Sequence, residues 1–471
     1  MRMFIGGEWR DRDRVIPVRD PYDGATIDSV PNATAADARL ALDSAHRGSA
    51  SMGALPTYER AKILTRAAEN VAGAAEDFAT LIATEGSKTI REARKEVSRC
   101  VNTLTASAEE AKRLSGETIP FDSFPGGESR VGYYYRIPVG IVLAITPFND
   151  PLNLVAHKVG PALAGGNAVI VKPATATPLS ALKLAEALLE AGLPPEALQV
   201  ITGSGTALGR VLIPDERVRM VSFTGGYEAG LDVARLAGIK KIGMELGSNS
   251  PVIVWEDADL EWAVESCVSG AFWAAGQNCI GVQRLYLHQA VYGAFRDRFV
   301  ERATRYRIGD KLREETDMGP MITESEAKRV DQWIGEATAA GATVLCGGGR
   351  RGTLVEPTVL EAVPPTVRLH TEEVFGPTVN LYPVTNVDEA VAQANALPFG
   401  LQAAAFTRDV DLAFRLAADL ECGGVMINDS TDCRLDTMPF GGVKRSGLGR
   451  EGVRFAVEEM TELKTVCFTR R

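Results

Sequence analysis

The chain has 471 residues, 45% hydrophobic and 24% charged, a mixture that is typical of globular proteins and excludes disordered and fibrous ones. At about 150 residues per domain, this length predicts two or three domains. The 51 basic and 61 acidic residues give a net charge of −10, which argues against nucleic acid as a partner.

Cysteine and histidine usage predicts the cellular environment. The seven cysteines are scattered, none lies in a CxxC pair, and there are only four histidines. We therefore expect a reducing, cytoplasmic location and no metal site. The chain turns polar soon after its first residues, and no apolar run approaches the ~20 residues that cross a bilayer, so we expect neither a signal peptide nor a membrane partner.

The first part of the chain predicts helices and then a hairpin. Residues 35 to 115 carry apolar side chains at helical spacing. A Gly/Pro-rich patch and the alternating RVGYYYRIPVG follow, and they predict a β-hairpin arm near residues 119–138. Because a lone hairpin is only marginally stable, its alternating aromatic residues would suit pairing with another subunit.

From residue 139 onward, short buried strands alternate with helices. VGIVLAI, AVIVKPA, LQVIT and MVSFTGG read as strands, each followed by a helical segment. This alternation predicts a parallel, doubly wound sheet, which binds its ligand beyond the carboxyl ends of the strands. A second alternating block begins near residue 250 and predicts a second α/β domain.

Two glycine-rich turns are candidates for cofactor binding. GSGTALG, with Gly205 and Gly209, follows a strand and opens a helix, but its spacing is one residue longer than GxGxxG. FTGG places Gly225 at the start of a helix, where free N–H groups can hold a pyrophosphate. Each motif is equally typical of a plain tight turn.

Three polar residues at the ends of elements are candidates for chemistry. Cys279 follows a helix in GQNC, where a thiol can be an exposed nucleophile or a small buried side chain. The amide of Asn149 could donate to a developing oxyanion or form an Asx turn. Glu245, at the end of the last strand of the first block, could be a general base or a solvated edge residue.

These pieces occur together in one known family. TPFN, VKPA, SFTGG, MELG, GQNC, EEVFGP and MPFGGVKRSGLGREG stand in the order and spacing of the NAD(P)-dependent aldehyde dehydrogenase superfamily, which the chain resembles over essentially its whole length. The resemblance implies an α/β fold with a doubly wound Rossmann-type cofactor domain (1–118 and 139–244) and an α/β catalytic domain (245–454). It also implies a β-hairpin oligomerisation arm (119–138 and 455–471) and assembly as a dimer or tetramer.

The resemblance also implies a role for each motif residue. Cys279 is the nucleophile, Asn149 the oxyanion donor and Glu245 the base. Lys172 contacts the adenosine ribose, and Gly225 lies under the pyrophosphate. The residues that bind NAD or NADP are then Thr146, Pro147, Phe148, Lys172, Thr175, Gly205, Gly209, Phe223, Thr224, Gly225, Leu246, Glu373 and Phe375.

One departure from the family pattern concerns the cofactor. Many members read KPAE, whereas Thr175 replaces the glutamate here. A glutamate at this position bonds the ribose hydroxyls of NAD and repels a 2′-phosphate, so threonine makes NADP admissible beside NAD.

Two alternative functions stay open. Acylating relatives pass the acyl group to coenzyme A and generally lack the glutamate at position 245, so Glu245 favours hydrolysis to the free acid. A non-catalytic, crystallin-like structural relative would not need Cys279, Asn149 and Glu245 intact together.

The substrate is the least determined feature. The segments around Asn149 and Arg434 resemble a branch of lactaldehyde, glyceraldehyde, succinate-semialdehyde and phosphonate-aldehyde dehydrogenases. Small anionic substrates call for a fixed cation, preferably arginine. We expect phosphonoformaldehyde or phosphonoacetaldehyde, with an uncharged hydroxyaldehyde as the alternative. The candidate substrate residues, each also compatible with a surface or packing role, are Arg99, Asn153, His157 and Arg434.

Overall fold

Two separate sheets arise from the two alternating blocks of the sequence. The structure is a computed structural model that describes residues 1–471. Its strands are β1 (Met3–Ile5), β2 (Glu8–Arg10), β3 (Val15–Arg19), β4 (Thr26–Pro31), β5 (Glu117–Ile119), β6 (Arg130–Pro138), β7 (Ile141–Ile145), β8 (Ala168–Lys172), β9 (Leu198–Val200), β10 (Val218–Thr224), β11 (Lys241–Glu245), β12 (Ser250–Val254), β13 (Val282–His288), β14 (Thr343–Cys346), β15 (Arg350–Arg351), β16 (Leu354–Val355), β17 (Thr358–Glu361), β18 (Thr378–Val384), β19 (Gln402–Phe406), β20 (Gly424–Ile427), β21 (Gly447–Leu448) and β22 (Thr461–Thr469).

Helices connect most of the parallel strands. They are α1 (Ala35–Ala54), α2 (Thr57–Gly73), α3 (Ala75–Glu85), α4 (Ile90–Ala111), α5 (Asn153–Ala164), α6 (Leu179–Glu190), α7 (Gly205–Leu212), α8 (Tyr227–Ala237), α9 (Leu260–Phe272), α10 (Tyr292–Thr304), α11 (Glu324–Ala339), α12 (Arg368–Thr371), α13 (Val387–Asn395), α14 (Val410–Asp419) and α15 (Val453–Glu459). None of these helices is both long and apolar enough to cross a bilayer.

The first sheet has eight strands in the order β2-β1-β9-β8-β7-β10-β11-β21. Strands β9, β8, β7, β10 and β11 are parallel, whereas β1, β2 and β21 are antiparallel additions at the edges. The chain runs outward from β7 first towards β9 and later towards β11. The order therefore reverses between β7 and β10, the position at which doubly wound sheets bind ligands.

Helices cover both faces of this sheet. Val142 and Ala144 of β7 pack into the large core beneath α2–α6, while Ile141 and Leu143 pack into a second core with α1 and α7. Alternate residues of a strand point to opposite faces, so a continuous apolar strand has to be buried on both sides. The predicted doubly wound α/β fold is confirmed.

The second sheet has seven strands in the order β14-β17-β18-β13-β12-β19-β20, and only β14 is antiparallel. Its core is formed by helices α9, α10 and α11, with Phe272, Phe295 and Phe299 fully buried. The nucleophile candidate Cys279 lies between α9 and β13, which places it at the end of this sheet that faces the first one.

The predicted hairpin is present and is joined by the end of the chain. Strands β5 and β6 pair antiparallel, and β22 pairs with β6 from Thr461 opposite Pro138 to Thr469 opposite Arg130. The boundaries at residues 118, 138, 244 and 454 stay predictions. The sheets do not follow them strictly, because β5 begins at Glu117 and β21 joins the first sheet from within 245–454.

Two features of the first 90 residues differ from the prediction. Strands β1 to β4 lie in a region to which the sequence assigned no strands, because they are short and pair with each other or with the edge strand β9. The long helical segment after residue 56 is broken at Ala74 into α2 and α3.

Candidate active site

Four neighbouring strands of the first sheet bring the sequence-predicted residues to one edge. The carboxyl end of β8 carries Lys172, which lies opposite Ile145 of β7. At the end of β10, Thr224 lies opposite Glu245 of β11. Because all four strands are parallel, the loops that follow them meet at this edge, including residues 146–149 after β7.

The nucleophile segment has an unusual backbone. After α9, Ala274, Ala275 and Gly276 have φ values of 50°, 57° and 69°, a left-handed run that non-glycine residues rarely adopt. A Cβ on Gly276 would lie 2.2 Å from the carbonyl oxygen of Gly376, so only glycine fits there. Such strained segments persist only where surrounding contacts hold them, and they cluster at functional sites.

Two buried side chains hold this segment. The Glu92 carboxylate, on the first turn of α4, accepts the N–H of Ala274 at 2.9 Å. The amide of Gln277 donates to the Ala274 carbonyl at 3.0 Å and accepts the N–H of Ile322 at 2.9 Å. The backbone before Cys279 is therefore held by helix α4 on one side and by the loop at Ile322 on the other.

Asn149 reaches the same segment from the first sheet. Its side-chain amide donates a 3.0 Å hydrogen bond to the carbonyl of Gln277, and this long-range bond replaces the Asx turn that the sequence also allowed. Cys279 is partly exposed and packs against the small apolar cluster of Ile280, Leu401 and Phe440. The amide donor and the thiol consequently stand close together across the cleft between the sheets.

Burial raises the pKa of both the Cys279 thiol and the Glu245 carboxyl group. Burial raises the pKa of Cys279 to about 12, and the positive charge of Arg434 is the largest opposing effect. Glu245 is buried, not a solvated edge residue, and burial together with the nearby Glu451 carboxylate raises its pKa well above the usual range. Its Oε2 is buried without a hydrogen-bond partner.

The adenosine end of the predicted cofactor site lies around Lys172. Burial lowers the pKa of this lysine to about 8, and its Nζ donates to the Pro173 carbonyl at 2.7 Å and to Thr175 Oγ1 at 3.2 Å. Thr175 in turn donates to the carbonyl of Gly203 at 3.2 Å. Gly205 begins α7, and a Cβ there would lie 3.8 Å from the lysine nitrogen. The buried ammonium of Lys172 thus lies beside the start of α7.

Residues between this end and the thiol fit a polar, elongated cofactor. Oγ1 of Thr146 and Oγ1 of Thr224 are buried without a hydrogen-bond partner, although each sits at a strand end on the ligand-bearing edge. A Cβ on Gly225 would lie 2.7 Å from the Phe223 ring, whereas one on Gly226 would meet open space. Hydroxyl groups without a partner and accessible backbone N–H groups can hydrogen-bond the phosphates and riboses of a dinucleotide.

The remaining predicted cofactor residues occupy the approach to Cys279. Glu373 accepts the N–H of Ser248 at 2.8 Å, and burial raises its pKa to about 7. Phe148 contacts the Phe375 ring edge-on at 5.8 Å, and Pro147 lies in the same loop. Leu246 follows the general-base candidate and packs against α8.

Gly209, another predicted cofactor residue, lies one turn beyond Gly205 in α7. It is buried in α7, where an added Cβ would meet the side chain of Ile213 at 3.3 Å.

Three of the four substrate candidates surround one carboxylate of the protein, that of Asp436. Nε and Nη2 of Arg99 lie 3.2 and 3.0 Å from Oδ1 of Asp436. Nδ2 of Asn153 and Nε2 of His157 lie 3.2 and 3.0 Å from the same oxygen. Burial alone would raise the pKa of Asp436, but the His157 hydrogen bond and the Arg99 charge outweigh it and hold this pKa below its usual range.

Arg434 is the candidate with free donors. Its side chain is 7% exposed, stacks 3.7 Å over the Phe440 ring and donates through Nη2 to Glu451 at 2.9 Å. Its Nε is buried and unpartnered. Phe440 belongs to the small apolar cluster against which Cys279 packs, and the charge of this guanidinium acts on the thiol by lowering its pKa.

Comparison with known proteins identifies the family. The model of the aldehyde dehydrogenase family matches residues 9–466. The chain belongs to the aldehyde dehydrogenase family. The motif order, the two-sheet fold and the positions of the thiol, amide and carboxyl groups in this enzyme agree with that assignment.

Individual relatives are similar over nearly the whole enzyme. A putative aldehyde-dehydrogenase-like protein of Sinorhizobium fredii is 53% identical over 97% of this chain and 89% of its own. Aspartate-semialdehyde dehydrogenase 1 of Pseudomonas canavaninivorans is 52% identical over 96% of each chain.

Solved structures share the fold closely. Aldehyde dehydrogenase 21 from Physcomitrella patens, in complex with succinate, has a TM-score of 0.97 at 38% identity, covering 99% of this enzyme and 98% of that chain. Glyceraldehyde-3-phosphate dehydrogenase GapN from Methanocaldococcus jannaschii, complexed with NADP, has a TM-score of 0.93 at 38% identity, covering 98% and 100%.

Several residues that shape the enzyme's site were missed by sequence reasoning. Glu92 and Glu96 lie four residues apart, so they share one face of α4 with buried apolar residues. Charged residues on an apolar helix face are the signal that could have found them. Asp436 and Glu451 carry no such signal, because their partners are distant in the chain. The missed residues are Lys88, Glu92, Glu96, Asp150, Gln277, Asp436 and Glu451.

Proposed function

We propose that the chain oxidises a small aldehyde, anionic or hydroxylated, to the free carboxylic acid with NAD or NADP. One observation carries this proposal: the amide of Asn149 and the buried carboxyl group of Glu245 lie at the sheet edge that faces the fixed segment of Cys279. A nucleophile, an oxyanion donor and a base in one cleft are the groups that oxidation through a thioester requires.

Cys279, Asn149 and Glu245 each have a separate role in the proposed reaction. The Cys279 thiolate attacks the aldehyde carbon, while the Asn149 amide and the N–H of Cys279 stabilise the oxygen that becomes negative. Such a donor is typically worth about 3–4 kcal/mol. The bound nicotinamide cofactor supplies the hydride acceptor. Glu245 then removes a proton from the water that cleaves the Cys279 thioester and releases the acid.

We propose that the enzyme accepts either NAD or NADP as its cofactor. Thr175 adds no negative charge beside Lys172, which supports acceptance of a 2′-phosphate. The GapN relative is described as complexed with NADP. We propose that the cofactor binds along the predicted cofactor residues, with its adenosine end at Lys172 and its nicotinamide end near Phe375.

The substrate proposal rests on Arg434. Its buried, unpartnered Nε supports a role in holding a carboxylate or phosphonate group, and Arg99 adds a second positive charge. Asn153 and His157 share Asp436 with Arg99 and hold it in place. One relative is named for aspartate semialdehyde and one solved relative contains succinate, both carboxylates. The specific substrates that we propose are phosphonoformaldehyde and phosphonoacetaldehyde.

A panel of small aldehydes tests the reaction class. Carboxylate-, phosphonate- and hydroxyl-bearing aldehydes and propanal are assayed with each cofactor in the absence of coenzyme A. We expect reduction of the cofactor and release of the free acid. A strict need for coenzyme A would show an acylating enzyme instead, and no turnover of any aldehyde would support a non-catalytic relative.

Arg434→Ala tests the anion site. We expect this variant to raise KM for an anionic aldehyde far more than for propanal, with Arg434→Lys intermediate because lysine keeps the charge but loses the two-pronged geometry. Equal effects on both aldehydes would contradict the anion site and leave the oxidation itself standing.

We also propose that the protein self-associates through its β-hairpin arm. Tyr133, Tyr135 and Phe468 are exposed on the three-stranded sheet, which supports self-association as a dimer or tetramer. Light scattering of the purified protein tests it, with a monomer as the contrary result.

The seven cysteines form no disulfide, which supports a cytoplasmic location that cell fractionation can check.

A further inference from the structure

Two charged side chains in the loop after β20 each keep one polar atom without a partner. Nε of Arg434 is buried and makes no hydrogen bond. Oδ1 of Asp436 accepts bonds from three side chains, whereas its Oδ2 accepts none, although the side chain is only 8% exposed. Leu435 between them is 66% exposed, so the loop turns its apolar residue to solvent and its two charged residues inward.

These two groups lie around one histidine. Nε2 of His157 lies 3.0 Å from Oδ1 of Asp436. Burial, followed by the charge of Arg434, lowers the pKa of His157, so its imidazole is neutral at neutral pH. The charge of Arg434 also opposes the effect of burial on the pKa of Cys279. Arg434 therefore acts both on the thiol and on the histidine that Asp436 holds.

The ion pairs around the loop form two clusters of opposite net charge. The first cluster joins two cations to three carboxylates, so it has one negative charge in excess. The second joins two cations to one carboxylate, so it has one positive charge in excess. No ion pair connects the two clusters while His157 is neutral. The first consists of Lys88, Arg99, Glu96, Asp150 and Asp436, and the second of Lys158, Arg434 and Glu451.

The excess charges can be located at the two unpartnered atoms. Every carboxylate oxygen of Glu96 and Asp150 accepts a hydrogen bond, so the free acceptor of the first cluster is Oδ2 of Asp436. Both oxygens of Glu451 are also paired, which leaves Nε of Arg434 as the free donor of the second cluster.

An excess charge in a nearly buried cluster is costly unless a ligand of opposite charge compensates it. A ligand ammonium group would supply both a donor and a positive charge to Asp436. A ligand carboxylate would do the converse for Arg434. A hydroxyl group would satisfy the hydrogen bond of Asp436 and leave the charge uncompensated.

We infer that the active site also takes aldehydes that carry an ammonium and a carboxylate group on one carbon, the semialdehydes of amino acids. Oδ2 of Asp436 holds the ammonium group and Arg434 holds the carboxylate. This inference rests on the proposed function and adds a second class of substrate to the phosphonate aldehydes. The aldehyde carbon reacts with Cys279 as before, so the product is an amino acid with a second carboxyl group.

Two aldehydes that differ only in the amino group test the inference in the unaltered enzyme. They are 2-amino-4-oxobutanoate and 4-oxobutanoate, assayed without coenzyme A. We expect kcat/KM to be higher for the amino compound by about tenfold or more, the usual effect of one hydrogen bond between charged groups. Equal values, or a higher value for 4-oxobutanoate, would overturn the inference and leave the oxidation itself standing.

The two enantiomers of 2-amino-4-oxobutanoate provide a second measurement that needs no variant. Cys279, Arg434 and Asp436 would hold the substrate at three points, so only one enantiomer can place all three groups correctly. Its kcat/KM should exceed that of the other enantiomer by about tenfold or more. Equal values for the two enantiomers would contradict the assigned contacts.

Asp436→Asn separates the charge of this residue from its packing. Asparagine keeps an oxygen that can accept from Arg99 and His157, but it has no negative charge for the ammonium group. We expect the preference for the amino compound over 4-oxobutanoate to fall by about tenfold. Asp432→Asn is the matched control, because it removes a carboxylate of the same loop that is hydrogen-bonded to Ser430, and it should keep the preference.

The outcomes of these experiments are distinguishable. An unchanged preference in Asp436→Asn, or the same loss in Asp432→Asn, would overturn the inference. Thermal melting identifies a variant that loses the fold, and the two comparisons in the unaltered enzyme then decide. If no aldehyde, with or without an amino group, is oxidised in the absence of coenzyme A, the proposed function itself fails.

Discussion

The side-chain amide of Asn149 donates a 3.0 Å hydrogen bond to the carbonyl of Gln277, two residues before Cys279. This bond connects the loop after β7 with the segment between α9 and β13, so it joins the two sheets at the thiol. In the proposed reaction, this amide would donate to the tetrahedral oxygen of the Cys279 adduct. Preorganised donors cost no reorganisation when charge develops.

Asn149→Ala should therefore lower kcat by roughly 10²–10³, the usual effect of removing one oxyanion donor. KM and cofactor binding should change much less, because the amide acts chiefly on the charged intermediate. Steady-state kinetics and cofactor titration by fluorescence provide the measurement. A loss below about fivefold would show that another group stabilises the oxygen.

The thiol itself should react slowly at neutral pH in the cofactor-free enzyme. Since burial raises the pKa of Cys279 to about 12, the thiolate fraction should keep rising with pH from 7 to 10 and reach no plateau near the usual thiol pKa. Iodoacetamide labelling of the Cys279 peptide, followed by mass spectrometry, measures this rate. The exposed Cys467 in the same sample is the internal control, and a plateau for Cys279 near pH 8 would contradict the prediction.

Thr175→Glu should shift cofactor preference towards NAD. A carboxylate beside Lys172 would bond the ribose hydroxyls of NAD and repel a 2′-phosphate, so kcat/KM with NADP should fall by about tenfold or more. Thr175→Gln, which has the same length without the charge, separates repulsion from steric effects. An unchanged ratio of the two cofactors would show that this position does not set the preference.

Lys172 should make NADP use depend on pH. Burial lowers its pKa to about 8, so the side chain is charged below that pH and neutral above it. The ratio of kcat/KM for NADP to that for NAD should consequently decline as pH rises through about 8, because only NADP carries the 2′-phosphate. Taking the ratio cancels the titration of shared catalytic groups, and a ratio independent of pH would refute the prediction.

Lys88 should be important for stability. Its buried ammonium bonds Glu96 at 2.6 Å and Asp150, and it lies 4.4 Å from the centre of the Trp273 ring. Lys88→Met would leave two carboxylates buried without their cation, at a cost of about 3–5 kcal/mol in the free energy of unfolding. Urea denaturation measures it, with Lys62→Met, at an exposed pair, as the control. Equal midpoints in both variants would be the contrary result.

Much of the fold and part of the site followed from local patterns in the sequence. Alternating apolar strands and amphipathic helices predicted the two α/β blocks, because burial on both sheet faces demands that pattern. The same patterns placed Lys172 and Glu245 at strand ends, and the family motifs identified Cys279. The short strands β1 to β4 could not be predicted this way, because their pairing depends on neighbours and on edge positions.

The tertiary structure alone decided how the charges pair. Arg99 and Asp436 are 337 positions apart, and His157 and Asp436 are 279 apart. Nothing local in the sequence marks such partners, since a carboxylate in a loop looks the same whether solvent or a buried arginine faces it. The sequence determined which residue types stand at the carboxyl ends of the strands, and the packing of the two sheets determined which of them keep a free donor.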